Sequence, residues 1–157
     1  MILVVMGVAQ AQQQPRSAYV RPPHADNGAP WPAKSGYVKG YRRLNADGHS
    51  TITIDNTKNG SDVFARIYSL DAVQPQPVRV VFVRAHDAYT LKQMRPGVYD
   101  VRYRELDSGA LKRSDPIGLD EKRTETEIQY TDLVITLYRK PGGTYQMHEM
   151  SEAEFRR

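Results

Sequence analysis

A series of short apolar alternations, beginning at Gly36, constrains the fold of this chain more than any other feature. Turn residues interrupt the alternations about every eight to twelve positions, which is the spacing of antiparallel sandwiches and barrels. We therefore predict an all-β protein, a single antiparallel β-sandwich of about seven or eight strands. The candidate strands are 37–44, 50–56, 62–70, 78–84, 88–94, 98–106, 110–114 and 124–139, with a break in the last one near Asp132.

Alternation within the strand after Pro96-Gly97 assigns its side chains to two faces, because successive residues of a strand point to opposite sides. Tyr99, Val101 and Tyr103 are expected in the core, and Arg102 and Arg104 on the outer face. The outer arginines are expected to be solvated.

The first eleven residues are uncharged and mostly apolar, and they end in Ala9-Gln10-Ala11, the small-x-small pattern of a signal-peptidase site. We expect 1–11 to be a signal peptide and the mature chain to be periplasmic or extracellular. The run is shorter than the roughly 20 apolar residues that span a bilayer, so no transmembrane segment is expected in the mature chain. No Lys or Arg precedes Arg16, which a signal peptide would normally have, and a first buried strand of a cytosolic protein is the alternative.

Composition divides the rest of the chain into three parts. Residues 12–35 are rich in Gln and Pro and have neither a strand nor a helix period, which predicts a flexible, disordered linker. Residues 36–141 form the sandwich, and 142–157 form a C-terminal tail or an edge strand, with a possible helical turn at 151–155. Trp31, the only tryptophan, either caps the edge of the sandwich or lies exposed for a partner.

No catalytic or metal-binding pattern is present in the sequence. The chain has no cysteine, its four histidines lie far apart without His-x-His or His-x-x-x-His spacing, and Gly-x-Ser-x-Gly is absent. The oxygen-rich segment 55–62 lacks the spacing of a calcium loop and is better explained as a hairpin turn. There is also no glycine-rich phosphate loop after a strand. We expect a protein that is not an enzyme and that has no metal and no cofactor.

Basic side chains on neighbouring strands could form a stripe. Arg102 and Arg104 share one face of their strand, and Lys112 and Arg113 follow on the next strand, with Arg79 as a further candidate. Such a stripe could contact an anionic polymer or an acidic protein. The alternative is a solvated face of cross-strand ion pairs. A net charge of +4 is too small for a typical nucleic-acid binder, so no nucleic-acid partner is expected.

The string 94–102, Met-Arg-Pro-Gly-Val-Tyr-Asp-Val-Arg, resembles the carboxypeptidase regulatory-like, or prealbumin-like (transthyretin-like), β-sandwich domains. The resemblance covers about nine residues and implies an immunoglobulin-like or prealbumin-like sandwich without specifying a function. The domain from Gly36 to Tyr138 also resembles a bacterial β module of unknown function. That second resemblance rests on segments 36–41, 54–57, 62–64, 98–104 and 107–111.

These features favour a non-catalytic exported interaction module that binds a protein or an anionic polymer of the cell envelope. The candidate binding residues are Trp31, Arg102, Arg104, Lys112 and Arg113. The alternative is a structural or accessory subunit of a surface assembly, joined by strand addition at a sheet edge. The sequence does not decide the oligomeric state.

Overall fold

Alternating apolar residues and frequent turns produce short strands throughout the ranges that the computed structural model describes, residues 18–138 and 146–157. Within these ranges there are twelve strands and one turn of helix. They are β1 (Gly36–Tyr37), β2 (Ser50–Asp55), β3 (Val63–Ser69), β4 (Gln76–Val83), β5 (Ala88–Met94), β6 (Gly97–Glu105), β7 (Leu111–Ser114), β8 (Ile117–Leu119), β9 (Glu121–Arg123), β10 (Ile128–Tyr130), β11 (Asp132–Thr136), β12 (Met147–Glu149) and α1 (Glu152–Phe155).

Two sheets face each other, which confirms the all-β sandwich. The larger sheet has the order β1-β4-β3-β6-β7-β12, with β8 also paired to β6, and all its pairs are antiparallel. The smaller sheet has the order β11-β2-β5, in which β11 runs parallel to β2. Strands β9 and β10 form a separate hairpin. The structure has more strands than the seven or eight predicted. Turns divide the chain into shorter strands than the apolar pattern indicates.

The main core lies between the two sheets. Ile52 and Ile54 of the smaller sheet meet Tyr99, Val101 and Tyr103 of the larger one, and all five are fully buried. The inward face predicted for β6 is therefore confirmed. Burying a side chain of this size contributes about 1.5 to 3 kcal/mol relative to leaving it exposed.

A second apolar cluster lies on the outer face of the larger sheet, and the N-terminal segment (residues 18–35) covers part of it. Trp31 packs against Phe64 and Phe82 with ring centroids 5.3 and 5.7 Å away, and its indole nitrogen donates to the Pro22 carbonyl over 2.9 Å. Ala25 is 1% exposed. Residues 18–35 are thus packed on the domain, whereas the sequence predicted a flexible linker. The proline-rich segment has no strand or helix period. It packs through single side chains, such as Ala25 and Trp31, that follow no repeating pattern.

The C-terminal arm (residues 146–157) covers a further part of this face. Strand β12 pairs with β7 at the edge of the sheet, and α1 follows with Ser151 as its N-cap. Phe155 is fully buried against Phe64, and it also lies close to the guanidinium groups of Arg66 and Arg104. Each face of the larger sheet is consequently covered over part of its area.

Two strand predictions are wrong in their bounds. The strand expected over 37–44 is regular only at Gly36–Tyr37, because the chain turns at Gly40, whose φ is +90°, although Val38 and Leu44 also donate backbone hydrogen bonds to β4. The strand expected over 124–139 is divided between β10 and β11, and its last residue lies outside the described residues, as do the expected signal peptide and residues 12–17 of the expected linker. In the part of the chain that the structure describes, no helix is long and apolar enough to cross a membrane.

Candidate functional site

Four cationic or titratable side chains form one row across the outer face of the larger sheet. Arg66 of β3 lies directly opposite Arg102 of β6, Arg102 opposite Arg113 of β7, and Arg113 opposite His148 of β12. Directly opposed residues on adjacent strands share a face, and strands lie about 4.8 Å apart. We call these four side chains the basic row. Opposed like charges destabilise a sheet unless they are compensated.

Three members of the basic row each have a carboxylate partner. Arg66 donates to Asp26 over 2.7 Å, and its other terminal nitrogen donates to the Phe155 carbonyl over 3.0 Å. Arg102 donates through Nε and Nη2 to the two oxygens of Asp100, over 2.9 and 3.2 Å. These pairs neutralise two of the three arginines of the row.

His148 is the third compensated member. Its Nε2 lies 2.5 Å from Oδ1 of Asp115, and the backbone N–H of Gln146 donates to Oδ2 of the same carboxylate over 3.1 Å. The hydrogen bond with His148, followed by that from Gln146, holds the pKa of Asp115 below its usual value. Asp115 therefore stays ionised and fixes β12 beside the end of β7.

Arg113 is the exception. No carboxylate of the described chain forms an ion pair with it, and residues 1–17 and 139–145 contain no Asp or Glu. Its side chain is half-buried and lines an open cleft. Arg113 thus supplies a guanidinium that the described fold does not neutralise.

The cleft measures about 460 Å³ and lies between the basic row and the loop that connects β3 to β4. Arg102, Arg113 and His148 contribute positive or titratable groups, and Asp100 and Asp115 contribute the compensating charges. An apolar wall completes it. The lining residues are Leu70, Pro75, Asp100, Arg102, Arg113, Ser114, Asp115, Pro116 and His148.

Packing and pairing hold the Arg102 side chain in place. Its guanidinium carbon lies 3.9 Å from the ring centroid of Tyr68, which is itself fully buried, and Asp100 holds the opposite edge. The side chains of Arg102 and Asp100 are only 9% and 6% exposed. The Arg102–Asp100 pair at the floor of the cleft is therefore positioned by the packing of the fold.

The five binding residues expected from the sequence do not lie together. Arg102 and Arg113 both line the cleft. Arg104 is 8% exposed and pairs with Glu152 of α1, and Lys112 lies opposite Tyr103, on the face away from the basic row. Trp31 is packed, as described above, in agreement with the capping interpretation.

The expectation that Arg102 and Arg104 are solvated is wrong. Both are 8% exposed, because Arg104 lies against Phe155 and pairs with Glu152 of the C-terminal arm, whereas Arg102 lies against Tyr68 and pairs with Asp100. Arg79, the further candidate for the basic stripe, does not lie on the outer face of the larger sheet. It lies opposite Ile67, is 2% exposed, and donates to the Tyr37 hydroxyl and to backbone carbonyls that include Leu44 and Lys92.

Sequence reasoning noted His148 only as one of four widely separated histidines, and it did not single out Asp115. The tail was expected to add an edge strand, and β12 is that strand, but its register against β7 could not be read from the chain. The pairing of His148 with Arg113 depends on that register. No local sequence signal marks it.

No group of three or more His, Asp or Glu side chains that could hold a metal ion occurs in residues 18–138 or 146–157. Comparison with known proteins finds no match to a family model, to a curated protein or to a solved structure. The resemblance to carboxypeptidase regulatory-like domains therefore stays a prediction.

Proposed function

We propose that this protein is a non-catalytic interaction module of the cell envelope that binds a carboxylate-bearing segment of an envelope polymer or protein in the cleft beside the basic row. One observation carries the proposal: Arg113 is the member of the row that has no carboxylate partner in the described chain, and it faces the cleft.

A guanidinium group presents a planar fork of N–H donors that matches the two oxygens of a carboxylate. The other arginines of the row already use this geometry internally, as the two bonds from Arg102 to Asp100 illustrate. A ligand carboxylate at Arg113 would complete the same pattern along the row. The site is therefore suited to a carboxylate rather than to a neutral ligand.

The other residues that line the cleft limit the affinity that charge alone can give to a carboxylate ligand. Asp100 pairs with Arg102 and Asp115 hydrogen-bonds with His148, so Arg113 is the one guanidinium of this lining without a paired carboxylate in the described chain. Leu70, Pro75 and Pro116 offer apolar contact for the rest of the ligand. A cleft of this size is in the range that takes one small ligand or one or two units of a polymer. We expect modest affinity that weakens as salt rises.

The polar groups of the cleft support binding rather than catalysis. The Ser114 hydroxyl accepts from the Val101 N–H and donates to the Asp115 carbonyl, so its proton is held by the backbone and not by a base. A nucleophile would need its proton accepted by a neighbouring base.

The envelope location rests on the sequence of residues 1–11, whose apolar run and Ala9-Gln10-Ala11 ending favour export. A mature protein that begins near Gln12 and is found outside the cytosol would support it. Recovery of the intact Met1 terminus on a cytosolic protein would contradict it.

Binding of polygalacturonate, a carboxylate polymer, tests the cleft directly, with neutral dextran as the ligand control and poly-L-glutamate as the protein-like carboxylate. Arg113→Gln should weaken binding of at least one carboxylate polymer about tenfold or more, which corresponds to the loss of a charge-assisted pair. Lys112→Gln is the matched control, because it removes the same charge from the adjacent residue on the opposite face. Equal losses of affinity in the two variants would show that binding depends only on net charge. That result would overturn the assignment of the cleft as the binding site. A preference between the two polymers would distinguish a glycan from a protein partner.

A second candidate function is an accessory subunit joined to a surface assembly by strand addition. The observation that favours it is the C-terminal arm, which supplies an edge strand to β7 and fills a groove on the outer face of the same sheet.

A further inference from the structure

The C-terminal arm binds the rest of the molecule as a peptide ligand would. Strand β12 adds to the edge of the larger sheet, Phe155 fills an apolar site against Phe64, and Glu152 pairs with Arg104. The arm combines strand addition, a buried aromatic anchor and a charge pair, and these are the recurring elements of peptide recognition.

Backbone carbonyls of the arm satisfy buried donors of the sheet. Arg66 donates to the Phe155 carbonyl over 3.0 Å, and the Tyr68 hydroxyl donates to the Arg157 carbonyl over 3.1 Å. The side chain of Arg66 is only 10% exposed, and that of Arg104 only 9%. If the arm left, these side chains would lose their partners and Phe64 would lose its apolar cover. An emptied groove therefore favours refilling by another segment of the same chemistry.

The arm pairs with a strand far from the one that precedes it, although Met147 also packs on the core cluster that contains Ile135 of β11. Strand β11 belongs to the smaller sheet, whereas β12 pairs with β7 at the far edge of the larger one. The surfaces that the arm contacts are the same in every copy of the chain. An arm supplied by either copy can therefore make these contacts. An identical element can be exchanged between two copies without loss of its contacts.

We propose that the groove formed by β3, β6 and β7 accepts the C-terminal arm of a second copy, so that two copies associate by reciprocal exchange of residues 146–157. The arm carries His148, so in the exchanged dimer each cleft receives one member of its basic row from the other copy. This inference does not depend on the ligand proposed above.

Engineered cysteines provide the test, since the chain has none of its own. Lys112 of β7 lies opposite Glu149 of β12, between backbone bonds that join Met150 to Leu111 and Asp115 to Gln146. These bonds make 112 and 149 a non-hydrogen-bonded pair, with Cα atoms about 4.5 Å apart, which is within the range of a disulfide. Both side chains point away from the cleft.

The full-length single variants Lys112→Cys and Glu149→Cys are mixed at high concentration, then diluted and oxidised. Arm exchange should give a mixed dimer well above the sum of the two homodimers, whereas random collision gives a mixed dimer equal to that sum. The double variant controls for geometry and should form both closed monomers and doubly linked dimers, with dimers increasing with the concentration before oxidation. Closed monomers of the double variant at every concentration, with no excess of mixed dimer from the single variants, would overturn the exchange.

Discussion

Arg102 and Arg113 lie directly opposite each other on adjacent strands, yet among the described residues only Arg102 of the two has a carboxylate partner. Asp100 holds Arg102 through two hydrogen bonds, and the ring of Tyr68 covers its guanidinium. Arg113, one strand away, faces the cleft. The same residue type thus contributes to stability at one position and remains available for a ligand at the next.

Stability measurements should separate these two arginines. Arg102→Ala should lower the free energy of unfolding by about 3 kcal/mol, because it leaves the Asp100 carboxylate buried without its partner. Arg113→Ala should cost less than about 1 kcal/mol, as expected for a side chain without such a partner. Urea unfolding of both variants measures the difference. Similar losses would mean that Arg113 is also committed to the fold.

The hydroxyl groups of Tyr99 and Tyr103 provide a matched pair in the core. Tyr99 donates to the Arg95 carbonyl over 2.7 Å and accepts from Asn45, whereas the Tyr103 hydroxyl is buried and has no hydrogen-bond partner in the described structure. Tyr99→Phe should cost about 1 kcal/mol, and Tyr103→Phe should be neutral or stabilising. Tyr99→Ala should cost about 3 to 5 kcal/mol through cavity formation. A large loss in Tyr103→Phe would reveal a partner for that hydroxyl and contradict the account.

Trp31 should report directly on the packing of the N-terminal segment, because it is the only tryptophan. Its emission should be that of a partly buried indole in the native protein and should shift to the red on unfolding. Trp31→Ala should cost about 3 kcal/mol and expose residues 18–35 to protease. Cleavage in 18–35 of the unmodified protein under native conditions would support the flexible linker instead.

Acid should weaken the attachment of α1. The hydrogen bond from Arg104, followed by that from Arg156, holds the pKa of Glu152 below its usual 4.5. A carboxylate with a lowered folded-state pKa stabilises the fold above its unfolded pKa, and that contribution is lost as the pH falls through the folded value. The stability difference between the unmodified protein and Glu152→Gln should therefore be constant near neutral pH and shrink below about pH 4.5. A difference that does not change between pH 7 and pH 3 would show that the pair does not contribute.

Alternation predicted which side chains share a face of β6 but not what covers that face. Tyr99, Val101 and Tyr103 were correctly assigned to the core, because a run of alternating residues in one strand is a local signal. Arg102 and Arg104 were correctly assigned to the other face, but Arg102 is covered by Tyr68 of a neighbouring strand and Arg104 by the C-terminal arm, and alternation within β6 indicates neither contact.

The sequence predicted only part of the candidate site, because the site also depends on how distant strands pair. Lys112 and Arg113 were grouped as neighbours, although adjacent residues of a strand point to opposite faces. The basic row also depends on the registers of three strand pairs, including β7 with β12. Registers are set by packing across the sheet, so Arg113 could be named as a candidate while its neighbour His148 could not.

The most direct test of the central claim follows the arginine Nε–Hε signals of isotope-labelled protein during titration with polygalacturonate. The signal of Arg113, assigned through the Arg113→Lys variant, should shift the most and should saturate. The signal of Arg79, which is 2% exposed and donates to carbonyls inside the fold, should not move. Saturable binding that leaves the Arg113 signal unchanged would contradict the assignment of the cleft as the binding site.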